Sequence, residues 1–232
     1  MYLIGMILLK TNKSISADGK SCRKKFLHYF PKGFADKKYY DWERGYKWEA
    51  HLKWEEVLNE NAFSQLIEEK KFEFIANAAI KIETKTNLLF SFEKMAIRDG
   101  VKDKGAAKDF ALGLYNYVYG HEGIKDRFEA FADTLSGLPR KQTRVKTWPL
   151  QTVFGFIGKP SEHIFVKPTV TKRAAVRYNI EIPYASAPNF NTYKAVLDFA
   201  EHIRKDNKDL MPKDFIDLQS FIWVMGSDEY PD

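Results

Sequence analysis

Thr152-Val-Phe-Gly-Phe-Ile157 and His163-Ile-Phe-Val-Lys167 are the stretches on which the fold turns. Both are short, β-branched and aromatic, and the intervening Gly158-Lys-Pro-Ser-Glu162 is made of turn formers. Runs of this length and composition suit a pleated, half-buried surface, so they predict a β-hairpin closed by a short loop. Ile180 to Tyr184 adds an extended segment. Up to Gly137-Leu138-Pro139, and again beyond Asn189, apolar residues recur at helical spacing instead. The expected fold class is α+β, predominantly α, with an N-terminal helical bundle packed against a C-terminal β-hairpin plus helices.

The helices are marked by their own punctuation. Asp36 is placed to cap a helix from about Lys37 to Leu58, whose inward stripe is Tyr39, Trp42, Tyr46, Ala50, Trp54 and Val57. Asn61 is the expected cap of a short helix to about Lys70. From Phe72 to about Arg98 apolar residues fall nearly all the way round, the pattern of a single central helix. Further helices are expected from about Lys104 to Tyr119, stopped by Gly120, and from Ile124 to Leu135. After the hairpin come a short helix at about Lys172 to Tyr178, one from Thr192 to Arg204 capped by Asn191, and a last one opened by Pro212 and stopped by Gly226. The chain divides into a basic arm at 1–25, a helical part at 26–137, and a hairpin-and-helix part at 138–232 of the same globular unit.

Composition narrows the function classes. The chain has 232 residues, 44% of them hydrophobic, enough for a full core. Its one cysteine, Cys22, has no internal disulfide partner, which points to a reducing, cytoplasmic setting and an incidental thiol. Met1 to Leu9 is apolar but lacks a basic flank and is too short to cross a bilayer, so a short strand or buried arm is expected there, with no membrane partner.

Charge is segregated. The formal net charge is +6, yet residues 140–177 alone hold nine bases against one acid, Glu162. Those bases, Arg140, Lys141, Arg144, Lys146, Lys159, Lys167, Lys172, Arg173 and Arg177, are interleaved with Trp148, Phe154, Phe156 and Phe165. Phosphates attract such a surface and aromatic rings stack on bases, so the expected partner is DNA, RNA or another polyanion.

Two other functions are compatible with the residues. An enzyme acting on a small anionic substrate would use Arg140, Arg144 or Lys167 as a clamp, with Glu43, His51 and Glu93 as acid–base groups. Glu43, Lys47, His51 and Glu55 advance four at a time along one helix ridge, and Glu93 falls within an apolar face where a carboxylate needs a partner. A protein-interaction module could instead use Trp48. No cofactor and no metal are expected: Walker, dinucleotide and nucleophile-elbow motifs are absent, and no histidine follows an acid by three residues. Glu83-Thr84-Lys85 holds the Glu-x-Lys step of restriction-type nucleases, but inside a helical pattern.

Trp42-Glu-Arg-Gly-Tyr-Lys-Trp-Glu-Ala-His51, Thr86-Asn-Leu-Leu-Phe-Ser-Phe-Glu-Lys-Met95, Leu138-Pro-Arg-Lys-Gln-Thr-Arg-Val-Lys-Thr-Trp-Pro149, His163-Ile-Phe-Val-Lys-Pro168 and Asp217-Leu-Gln-Ser-Phe-Ile-Trp-Val224 together resemble a widespread bacterial family without an assigned activity. The resemblance covers about Phe30 to the C-terminus and leaves out the first 25 residues. The Asp-x-Gln-Ser-Phe-x-Trp ending is similar to tails of restriction and DNA-defence proteins, which implies nucleic acid as partner without naming a catalytic residue.

Overall fold

The computed structural model describes residues 17–232; the strand or buried arm expected at Met1–Leu9, like the rest of the arm up to residue 16, lies outside the described residues. The remainder of the arm is the start of α1 (Ala17–Tyr29). There Cys22 and Phe26 are buried, and the Phe26 ring packs 4.9 Å from Phe221.

Asp36 caps the next helix by accepting a hydrogen bond from the Lys38 N–H. The run goes through α2 (Lys37–Tyr39), a π-helical segment (Tyr40–Arg44) and α3 (Gly45–Leu58) without a break. The π segment inserts extra backbone into the turn and shifts the helical phase. That explains one departure from the expected stripe: Trp42 is 54% exposed, whereas Glu43 and Arg44 are buried.

Asn59, not Asn61, caps α4 (Glu60–Glu68). The expected central helix over 72–98 is two helices, α5 (Phe72–Glu83) and α6 (Ser91–Gly100). The break has a local cause. Thr86 Oγ1 accepts from the Leu88 N–H and donates to Glu83, and the Glu93 carboxylate accepts from the Phe90 N–H at 2.9 Å, which starts a new helix. Next come α7 (Lys104–Tyr119), capped by Asp103, and α8 (Ile124–Gly137).

The β-hairpin does not exist, and with it the α+β class is overturned: every regular element among the described residues is helical. Thr152–Ile157 lies within α9 (Trp148–Gly158), all of whose residues are buried. Helices α3, α5, α6, α7 and α8 pack around it, so α9 is the central helix of the fold. A helix covered on every side needs no polar face, and its apolar run is then indistinguishable from that of a buried strand. Gly155 permits the close packing: a Cβ there would lie 2.7 Å from the Tyr117 ring and 2.8 Å from His163.

The other supposed strand, His163–Lys167, has no strand beside it. The His163 N–H turns back to the Lys159 carbonyl at 3.0 Å, and two others go to side chains, Ile164 to the Tyr193 hydroxyl at 3.1 Å and Val166 to Thr152 Oγ1 at 3.0 Å. Then come α10 (Pro168–Arg177), α11 (Phe190–Asp206), capped by Asn189, and α12 (Phe215–Gly226), capped by Asp214. Ile180–Tyr184 is irregular chain. No helix of the described residues is long and apolar enough to cross a membrane.

Candidate anion-binding cleft

A cavity of about 710 Å³ opens where the N-termini of α6, α9 and α10 meet the irregular segment between α8 and α9. The first turns of all three helices line this space, and a helix start carries partial positive charge where its N–H groups lack an acceptor; at α6 the Glu93 carboxylate already accepts from the Phe90 N–H. Thr147 caps α9, accepting from the Leu150 N–H at 3.4 Å, but α10 has no side-chain cap. Its first residues, Pro168, Thr169 and Val170, line the cleft.

Arg140, Arg144, Lys146 and Lys167 line the same cleft, against a single acid, Glu93. Arg140 and Arg144 are exposed and Lys146 is partly exposed. Among the described residues, none of the three has an acidic side chain within ion-pair distance. Arg140 Nε donates to the Gln142 carbonyl at 3.3 Å. Lys167 belongs to the floor. Its Nζ donates to the Leu88 carbonyl at 3.1 Å, lies 3.6 Å from Glu93 Oε2 and sits 3.5 Å over the Phe90 ring. Burial pulls the Lys167 ammonium below its ordinary value, opposed by Glu93.

The remaining bases of the 140–177 set are dispersed. Lys141 lines a small hollow that shares Phe92 with the cleft. Lys159 ends α9 and pairs with Glu162 at 3.1 Å, and Glu162 also binds Arg127. Lys172, Arg173 and Arg177 line a separate hollow of about 520 Å³ between α10 and the end of α12. Arg173 is held by Asp228 at 2.9 Å and Arg177 by Asp232 at 2.7 Å, while Lys172 rests 4.4 Å over the Tyr184 ring at the cleft edge. Of the interleaved aromatics, Phe154, Phe156 and Phe165 are core and only Trp148 reaches the cleft.

The acid–base trio is not assembled. Glu93 lines the cleft, where it caps α6; Glu43 and His51 do not. Glu43 is enclosed between α3 and α12, accepting from Lys47 at 3.1 Å and from the Tyr230 hydroxyl at 2.5 Å. Burial and the neighbouring Glu43 carboxylate push the Tyr230 hydroxyl up, which keeps it a donor. Lys47 also donates to Ser220 at 2.8 Å, and Arg44 donates to Asp214 and Asp217, the latter also accepting from Tyr39. This network consumes Asp217, the first residue of the Asp-x-Gln-Ser-Phe-x-Trp tail, as architecture. His51 is occupied by the Ile157 carbonyl, 2.8 Å from its Nδ1, and Trp48 is half-buried with the Arg44 guanidinium 4.9 Å over its ring. Glu83 ends α5, buried, and no group of three His, Cys, Asp or Glu among the described residues is disposed to hold a metal ion.

Sequence reasoning passed over Phe90, Phe92, Tyr184 and Trp223, which complete the cleft wall. Phe90 and Phe92 were absorbed into the expected helix over 72–98. The Thr86-Asn87 break, followed by Glu93 three residues beyond Phe90, was the available signal for a helix start that frees them. Comparison with protein-family models, curated proteins and solved structures gives no match.

Proposed function

We propose that the protein binds nucleic acid through the cleft between α6, α9 and α10. One observation carries this reading: Arg140, Arg144 and Lys146, without acidic partners among the described residues, border a cavity that is also lined by the uncapped first turn of α10. Such a site offers mobile guanidinium and ammonium groups together with fixed backbone donors, the two devices by which proteins hold phosphates. Uncompensated charge at a concave surface also focuses the field outward and raises the local concentration of anions. Within the 140–177 set, Lys159, Arg173 and Arg177 are each paired with an acid away from the cleft, whereas Arg140, Arg144 and Lys146 at its border are not.

The enzyme alternative asked for Glu43, His51 and Glu93 in one cleft, and it loses its support with Glu43 and His51 engaged elsewhere. The test of nucleic-acid binding is a salt titration of the affinity for a labelled oligonucleotide. Log affinity should fall steeply and linearly with log salt, with a slope reduced by about 1 for each of Arg140 and Arg144 replaced by alanine. Binding that is indifferent to salt, or to both replacements, rules the proposal out.

A further inference from the structure

The cleft continues along α6 past Lys167. Phe90, Phe92 and Met95 are 56%, 49% and 45% exposed, a row of large apolar side chains. The Phe90 and Phe92 rings are stacked, centroids 5.6 Å apart and planes 27° from parallel. Lys167, anchored to the Leu88 carbonyl and lying over the Phe90 ring, fixes that platform from below. Phe92 borders both the cleft and an adjoining small hollow, which Met95, Lys141 and one acid, Asp99, also line. Arg140 and Arg144 line the cleft with Phe90 and Phe92, and Lys141 lines the hollow with Phe92 and Met95.

Exposed aromatic rings and unpaired cations lining the same cleft select their occupant by chemistry. A duplex hides its base faces within the stack, a polyphosphate has no ring, and the ring of a sulfated sugar is neither flat nor aromatic. A single strand presents phosphates on one side and flat ring faces on the other. We propose that the cleft takes single-stranded nucleic acid, with a base stacked on the exposed side of Phe92, whose ring Phe90 backs, and the phosphates held by Arg140, Lys141 and Arg144. The inference rests on the nucleic-acid reading of the cleft and adds strandedness and the role of the rings. Because every base has a π-face, recognition at this platform is tolerant of sequence.

The test measures fluorescence anisotropy with a short labelled single strand of mixed sequence and with the same sequence as a duplex, and uses inorganic polyphosphate as competitor. The single strand should bind about tenfold tighter than the duplex. Phe90→Ala combined with Phe92→Ala should weaken single-strand binding by about tenfold or more while leaving duplex and polyphosphate binding within about twofold. Arg140→Ala with Arg144→Ala should weaken all three. Since both phenylalanines are about half-exposed, circular dichroism is expected to be unchanged, and the pair Phe90→Leu, Phe92→Leu, which keeps apolar area but removes the rings, should lose single-strand affinity in the same direction. Duplex binding as tight as single-strand binding, or single-strand affinity unmoved by loss of the rings, overturns the inference while salt-dependent binding through Arg140 and Arg144 would still stand. Absence of any oligonucleotide binding overturns the underlying reading as well.

Discussion

Two clusters of charge sit on opposite terms with this fold. Between α2–α3 and α12, Arg44, Lys47, Glu43, Asp214 and Asp217 are joined to one another and to Tyr39, Ser220 and Tyr230, and Arg44, Lys47 and Asp217 expose 6% or less of their side chains. In the cleft, Arg140, Arg144 and Lys146 stand on irregular chain without an acidic partner among the described residues. The first group had to be paired, because an isolated charge removed from water costs several kcal/mol. The second keeps its hydration and its freedom, and so remains available to an anion from outside. Local charge density in the sequence does not separate the two; partnership does.

The comparison can be broken most forcefully at Arg44. Arg44→Met leaves Asp214 and Asp217 without their guanidinium, and a loss of about 3–5 kcal/mol in urea denaturation is expected. A loss below about 1 kcal/mol would mean that this pairing does not hold α12 in place.

His163 sharpens it, as a buried titratable group held by aromatic neighbours rather than by an opposite charge. Its ring lies 4.5 Å from Tyr117, its Nδ1 is 3.4 Å from the Tyr193 hydroxyl, and burial pushes its pKa down to about 3 from 6.5. The folded chain therefore refuses a proton that the unfolded chain accepts. Its contribution is constant above pH 6.5, and stability falls as pH drops from 6.5 toward 3, with a slope approaching about 1.4 kcal/mol per pH unit. His163→Phe should remove that component from the acid limb of the stability curve, and an unaltered limb would contradict it.

Replacing Arg140 and Arg144 together by alanine should do the reverse of Arg44→Met. Stability should stay within about 0.5 kcal/mol of the parent protein, as for surface positions without structural partners. Single-strand affinity at low salt should drop about tenfold or more, with a shallower salt slope. The smallest effect belongs to Arg173→Ala with Arg177→Ala, which removes the same charge from residues already held by Asp228 and Asp232. Oligonucleotide affinity should change by less than about threefold, through general field strength alone. An equal loss from both pairs would mean that net charge, not the cleft, governs binding.

Legibility in the sequence followed the same divide between local and long-range causes. Asp36, Gly120 and Gly226 mark helix ends where expected, since capping and glycine act within a turn. Asn59 took the role expected of Asn61, and Asn189 that of Asn191, a displacement of two residues within equivalent capping chemistry. At α9 a local signal for a helix was present, Thr147 followed by Pro149, but the β-branched and aromatic run outweighed it. The exposed face of α6 was hidden because a break after Glu83 depends on how Glu93 and Thr86 bond back to the turn, which apolar periodicity does not record.

The order of residues alone determined where most helices begin and end, that a cationic stretch lies between 140 and 177, and that no familiar catalytic motif is present. Those properties are local, because caps, periodicity and charge count need only neighbours a few positions away. The tertiary structure decided that α9 is a central helix rather than a strand, that Glu43 and Arg44 are structural, and that four of nine bases meet at one cleft while Arg173 and Arg177 are neutralised. Each of those outcomes depends on what packs against a residue from elsewhere in the chain, since burial on all sides removes the polar face that reveals a helix and a distant carboxylate determines whether a base is free.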